Sequence, residues 1–246
     1  MALPAVRNLK ELVDDESVTV ATQEKLAALW RKCPFVDKVL VLEKPASIQA
    51  CAAQLHAGDF AAAVLLPNSL RAATEAWLAR IPERIGYARG GRSVLLTHAV
   101  PVPPRNPARL HQRHYYVDLI AALGGVDDPS LPKLRKEPTR VTASRGLVLA
   151  FCPGAEYGPA KRWPVENFAA MARHFIAKRK AKIVLLGAPV DMPVAAQFME
   201  VVPEAENLVG KTSLEQFMAA TVSSRTVSNQ PAGSAIVPPG AASSSP

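Results

Sequence analysis

Residues 151–168, FCPGAEYGPAKRWPVENF, carry the residue types in this chain best placed to do chemistry. They follow an aliphatic run and precede an amphipathic stretch, so they read as the turn from a buried strand into a helix. Such a turn aims free backbone N–H groups and the positive end of a helix at one spot, where an anion can sit. Gly154 and Gly158 let the backbone approach a ligand closely, and Lys161 adds a full charge just before the helix. Together they make a phosphate cradle, although an ordinary turn with a solvated lysine would carry the same residues. A second turn, LLGAPVD at 185–191, has Gly187 as a tight-turn residue and Asp191 at the start of the next helix. A carboxylate there can cap the helix. It can also accept hydrogen bonds from ribose hydroxyls, as acidic residues do in other nucleotide-binding α/β domains.

Other motifs carry less. GKT at 210–212 resembles the end of a P-loop, but GxxxxGK[ST] needs glycine at 205 and Ala205 stands there. No GxGxxG follows a strand, which argues against a dinucleotide-dependent oxidoreductase. KRKAK at 178–182 reads as a solvated cationic helix end. His111 and His114 lack a third ligand nearby in sequence, so they read as surface or groove histidines. Trp30, Trp77 and Trp163 read as packing residues in helices. Cys33, Cys51 and Cys152 are odd in number, far apart and without metal-ligand spacing, which suits a reducing compartment.

These groups need a scaffold. With 246 residues, 49% hydrophobic and 20% charged, the chain can bury a core without staples. No apolar run reaches the roughly 18 residues of a membrane span. The N-terminus lacks the apolar stretch of a secretory signal. Short aliphatic runs at 17–21, 38–42, 61–67, 93–97, 146–154, 181–187 and, more weakly, 207–210 predict parallel strands buried on both faces. Helical stretches lie between them. Thr22 is a candidate N-cap for the second and Gly58 a candidate C-terminal glycine for the third. The stretch after Pro164 places Val165, Phe168, Ala169, Ala172, Phe175 and Ile176 on one helix face. Strand–helix alternation predicts an α/β doubly wound architecture.

The charged, proline-dotted stretch 129–145 reads as a connection between domains. The expected division is 1–140, 141–230 and a compositionally biased tail, 231–246, without means to pack. The chain opens in a helix where a doubly wound domain normally opens with a strand. The net charge of +8 suggests an anionic partner: nucleic acid, phosphate or a membrane surface.

PGAEYGPAKRWP at 153–164 resembles the ADP-heptose:lipopolysaccharide heptosyltransferases of glycosyltransferase family 9, above all the heptosyltransferase II branch. MALPAVRNLK at 1–10, LLPNSLRAATEAWLARIPERIGY at 65–87, VLLT at 94–97 and NLVGKTSLEQ at 207–216 extend the resemblance to about residue 229. The resemblance implies a GT-B architecture of two Rossmann-like domains. The first serves an anionic Kdo–lipid A acceptor and the second ADP-heptose. The implied reaction inverts the anomeric centre and needs neither metal nor cofactor. By position, Lys161 would stabilise the leaving diphosphate, and Gly154, Ala155, Glu156 and Gly158 would line its loop. Asp191 would hold the ribose where the family usually has a longer glutamate. Asn68 and Arg71 would contact the acceptor; arginine's fork suits phosphate and carboxylate oxygens.

The resemblance also implies two departures. Family members place a strand and a Gly-Asp loop ahead of the MALPA segment, which here starts at Met1. That loop holds the aspartate that deprotonates the acceptor. The implied base therefore lies upstream of Met1, and no catalytic base is assigned within the chain. Family members also continue after VSN with an Asp-Ser-Gly segment, where this sequence turns to Gln230–Pro231, a switch resembling a frameshift or a broken gene model. The expectation is a cytoplasmic, monomeric transferase fold, peripheral at the inner face of the membrane, truncated at both ends and inactive by itself. Two competitors remain: an inactive remnant that at most binds nucleotide, and a basic α/β nucleic-acid-binding protein. The aliphatic rather than aromatic strands speak against the second.

Overall fold

The structure, a computed structural model, describes residues 1–43, 47–104, 106–109, 111–135, 147–155, 162–223 and 225–228. The chain divides into two compact units, 1–136 and 137–246.

In the first unit, helix α1 (Leu3–Val13) starts on Pro4, whose fixed φ suits a first turn. Strand β1 (Thr19–Gln23), α2 (Glu24–Arg31), β2 (Lys38–Leu42), α3 (Ile48–His56), β3 (Ala62–Leu65), α4 (Leu70–Leu78), β4 (Glu83–Tyr87), β5 (His98–Val100) and α5 (Gln112–Ala121) follow. Ser47 and Ser69 begin α3 and α4 by accepting from Ala50 N and Ala72 N at 3.1 and 3.3 Å.

All strand pairs here are parallel: β1 with β2, and β3, β4 and β5 in that order as a separate sheet. Side chains alternate along β3. Ala63 and Leu65 pack with Ala52, Ala76, Ala79 and Ile81 of the α3–α4 side. Val64 packs with Ala5, Val117 and Ile120 of α1 and α5. Helix α1 also reaches the other sheet, where Val6 packs with Val18, Trp30, Phe35 and Val36, and Leu66 lies alongside. One helix therefore spans both sheets. Among the described residues, β1 and β3 each keep one edge without a strand partner, and none of their residues is fully buried.

The second unit holds β6 (Val148–Cys152), α6 (Val165–Arg179), β7 (Lys182–Leu185), α7 (Met192–Val201), β8 (Glu206–Asn207), α8 (Leu214–Ser223) and β9 (Arg225–Ser228). Its parallel sheet runs β8-β7-β6-β9. Leu149, Phe151, Ile183 and Leu185 face α6 and α7, packed on Phe168, Ala172 and Phe198. Ala150, Val184 and Leu186 face the other way, with Phe217 and Ala220 of α8 against them. Covered faces explain why these strands read as unbroken aliphatic runs. The expected stripe of α6 is present: Phe168, Ala169 and Ala172 are buried. Lys180 ends the helix at φ 50°, its N–H donating to Ile176 O at 2.9 Å.

Some local expectations differ. The run at 93–97 is not a strand. Gly90 and Gly91, at φ 66° and 71°, turn the chain into a 3-10 turn over Arg92–Leu95, and β5 starts only at His98. Thr22 lies inside β1, and α2 starts from Gln23 without a side-chain cap. Gly58 stands directly after Ala57, the C-cap of α3, as expected, but without a left-handed φ. Trp77 is half exposed on α4, whereas Trp30 is buried. The tail 231–246 and most of the connection at 129–145 lie outside the described residues.

Candidate functional site

In the second unit the turns after β6 and β7 meet at Asp191. This side chain is 8% exposed. A Cβ built on Gly154 would lie 2.0 Å from its Cγ, and one on Gly187 would lie 3.0 Å from its Oδ2. Both turns therefore need glycine for the carboxylate to fit. Asp191 Oδ2 accepts from Ala188 N at 3.0 Å, across the short 3-10 turn Pro189–Asp191. No side-chain bond caps α7, so the helix-capping reading of Asp191 does not hold; the side chain turns back onto the two strand ends. Ligands of open α/β sheets bind at the carboxyl ends of the strands.

Burial pushes the thiol of Cys152, at the end of β6, up to about 11, and the charge of Asp191 adds to the shift. Ala155 is half-buried one residue beyond Gly154. Glu156, Gly158 and Lys161 lie outside the described residues. At the start of α6, Trp163 sets its edge against Phe168, with ring centroids 4.9 Å apart. Two of the predicted donor-side residues, Gly154 and Asp191, are thus brought into contact.

In the first unit, Asn68 and Arg71 stand three positions apart where β3 leads into α4, but their side chains go to different places. Arg71 Nε donates to Glu75 Oε1 at 2.7 Å, and its Nη2 lies 3.9 Å from Cys51 Sγ. That bond to Glu75 holds the guanidinium above its ordinary range. Asn68 instead joins a buried network. Arg92, fully buried, donates to Tyr87 O at 3.0 Å, to Pro67 O, to Leu65 O at 3.5 Å and to Asn68 Oδ1 at 3.3 Å. Asn68 Nδ2 donates to the Tyr115 hydroxyl at 2.8 Å, and the Tyr87 hydroxyl donates to Tyr115 O at 2.7 Å. Burial pulls the Arg92 guanidinium below its ordinary range and pushes the Tyr87 phenol up. Met1, ahead of which the resemblance puts the base-bearing loop, is exposed just before α1.

Sequence reasoning missed Arg92, Tyr87 and Tyr115. One available signal was Gly86, where a Cβ would come within 2.9 Å of Arg92 Nη2. His111 caps α5 through Nδ1, accepting from Arg113 N at 3.2 Å. Among the described residues no three His, Cys, Asp or Glu side chains gather to hold a metal ion, and no helix is long and apolar enough to cross a membrane.

Residues 48–227 match the profile of glycosyltransferase family 9 (heptosyltransferase). A lipooligosaccharide heptosyltransferase 2 of Haemophilus influenzae is 34% identical over 182 residues, 63% of this chain and 50% of that protein. The chain thus spans about half the length of the relatives it matches in sequence. Among solved structures, Escherichia coli ADP-heptose lps heptosyltransferase II matches with a TM-score of 0.78 at 23% identity, over 92% of this chain and 74% of that one. E. coli heptosyltransferase WaaC with ADP-2-deoxy-2-fluoro heptose matches with a TM-score of 0.69 at 19% identity, over 92% and 77%. These likenesses give the chain a GT-B-like α/β fold.

Proposed function

The chain belongs to glycosyltransferase family 9, and on that footing we propose that it serves the transfer of heptose from ADP-heptose to the inner core of lipopolysaccharide. The observation that carries the reading is the buried Asp191 carboxylate, seated against Gly154 and Gly187 at the ends of β6 and β7. A carboxylate there accepts from the ribose hydroxyls of the ADP. On this reading Gly154, Ala155, Glu156 and Gly158 would line the diphosphate, and Lys161 would stabilise it as it leaves. As the acceptor hydroxyl attacks the anomeric carbon, the bond from that carbon to the β-phosphate oxygen breaks. ADP leaves with the electron pair, and the hydroxyl's proton passes to a carboxylate base of the kind family members carry. Charge growing on the leaving phosphate is met by a preorganised cation and helix-end N–H groups, the role a divalent metal fills elsewhere.

The first unit offers Asn68 and Arg71 to an anionic Kdo–lipid A acceptor. The protein works as a monomer on the cytoplasmic side, at the membrane surface. Calorimetry of the 246-residue chain with ADP, UDP and GDP tests the donor side. ADP should bind best, and Asp191→Ala or Lys161→Ala should each weaken it about tenfold to a hundredfold, the worth of one charge-assisted contact. Equal binding of the three nucleotides, or ADP affinity unmoved by both substitutions, would overturn the assignment.

A further inference from the structure

Arg92 is buried, and no carboxylate pairs with it among the described residues. An unpaired buried charge is costly, and this one is met only by dipoles: the carbonyls of Leu65, Pro67 and Tyr87 and the amide of Asn68. Arginine has donors only. The Asn68 atom facing it must therefore be the oxygen, which turns Nδ2 toward the Tyr115 hydroxyl. That hydroxyl oxygen accepts, so its own proton is left to point elsewhere. The ring itself cannot swing away. It lies against the Tyr87 ring, with centroids 4.3 Å apart and planes tilted by 38°, and the Tyr87 hydroxyl donates to the Tyr115 carbonyl.

Tyr115 and Asn68 are both half-buried: Asn68 lies between the end of β3 and the N-cap of α4, and Tyr115 lies in the first turn of α5, where its carbonyl meets Tyr87 at the end of β4. In the turn before Arg92, a Cβ on Gly90 would lie 3.6 Å from Asn68 O, and one on Gly91 would meet nothing within 4 Å. We infer that Tyr115, oriented by Arg92 through Asn68, donates its hydroxyl proton to an anionic oxygen of the acceptor. Arg92 is a positioning residue in this arrangement, and its charge also favours an anion near the Tyr115 hydroxyl. The inference rests on the transferase reading and deepens its acceptor side.

The test is titration of the 246-residue chain, followed by NMR, with free Kdo as the carboxylate probe and inorganic phosphate as the phosphate probe. The stronger of the two identifies which anionic group the site takes. Tyr115→Phe keeps the ring and loses the proton, and should weaken that probe about tenfold, as losing a hydrogen bond to a charged group does. Arg92→Lys should weaken it similarly, and the double substitution should do no worse than either single one, because both act on one proton. Asn68→Asp supplies a second line. The new carboxylate pairs Arg92 and draws the Tyr115 proton inward, so the unit should become more stable while probe binding falls. Three results would each overturn the inference: Tyr115→Phe leaving affinity unchanged, the Tyr115 and Arg92 effects multiplying, or neither probe binding. ADP binding is measured in the other unit, so failure here is distinguishable from failure of the transferase reading.

Discussion

Adding one methyl group at Gly154 tests how the donor site is built. The new Cβ would stand 2.0 Å from Asp191 Cγ and 2.1 and 2.3 Å from its two oxygens, where ordinary contact begins at 3.4 Å. About 1.4 Å of separation has to open, and Asp191 is the movable partner. Gly154 has no left-handed φ. On backbone grounds alone the substitution would therefore stabilise by about 0.4–1 kcal/mol, and any loss reports the clash. Retreat of the carboxylate gives up the 3.0 Å bond from Ala188 N, worth about 1 kcal/mol and more if the N–H stays buried. Overpacking adds about 1–3 kcal/mol. Gly154→Ala should therefore cost about 2–3 kcal/mol, read as faster hydrogen exchange of β6 and β7 amides, and should weaken ADP binding in parallel. In an Asp191→Ala background Cγ is gone, and the same substitution should cost less than about 0.5 kcal/mol, leaving most of the effect as coupling. A neutral Gly154→Ala, or an equal cost in both backgrounds, would refute the account.

Two further outcomes follow from the same physics. Burial lifts both Cys33 and Cys152 from the ordinary 9.0 to about 11, so at pH 8 only about one thiol in a thousand is ionised. Iodoacetamide should spare both in the folded chain and label them on unfolding; their stabilising contribution is complete below pH 9 and disappears as the pH rises from 9 to 11. Rapid labelling at pH 8 or denaturant stability constant across that window would count against it. In hydrogen exchange, the amides of β1 and β3, each with one open edge, should be less protected than those of β6 and β7, which are paired on both sides; equal protection would mean that the two N-terminal sheets are joined in solution.

How legible the fold was depended on what each strand packs against. KVLVL at 38–42 became β2 residue for residue, and the runs at 146–154 and 181–187 became β6 and β7. Wherever helices cover both faces, every position is selected to be apolar and the pattern is plain. β4 is ERIGY, where Glu83 starts the strand and Arg84 spends its guanidinium on the Leu95 carbonyl at 2.7 Å; no composition rule sees that. β9, RTVS, adds a strand through backbone bonding to β6, which side-chain chemistry does not announce. The run at 93–97 had strand composition, but the glycine pair before it decided the backbone first.

The site was legible in proportion to how local it is. Gly154 and Asp191 lie in turns that directly follow strands, and the strand–turn–helix pattern places such residues at one sheet edge. Their contact could not be read, because it depends on the register of β6 against β7, where Phe151 pairs with Leu185. Arg92 shows the opposite case. An arginine after two glycines looks like a solvated turn residue, since arginine is almost never fully buried. Only the fold brings Leu65, Pro67 and Asn68 from one segment and Tyr87 from another around it. Exchanging this cation for an apolar side chain would leave the carbonyls of Leu65, Pro67 and Tyr87 and the Asn68 oxygen without their donor, at about 1–3 kcal/mol for each that stays buried. Arg92 therefore ties the ends of β3 and β4 together, and the same bonds set the orientation of Asn68 and, through Asn68, the direction of the Tyr115 proton.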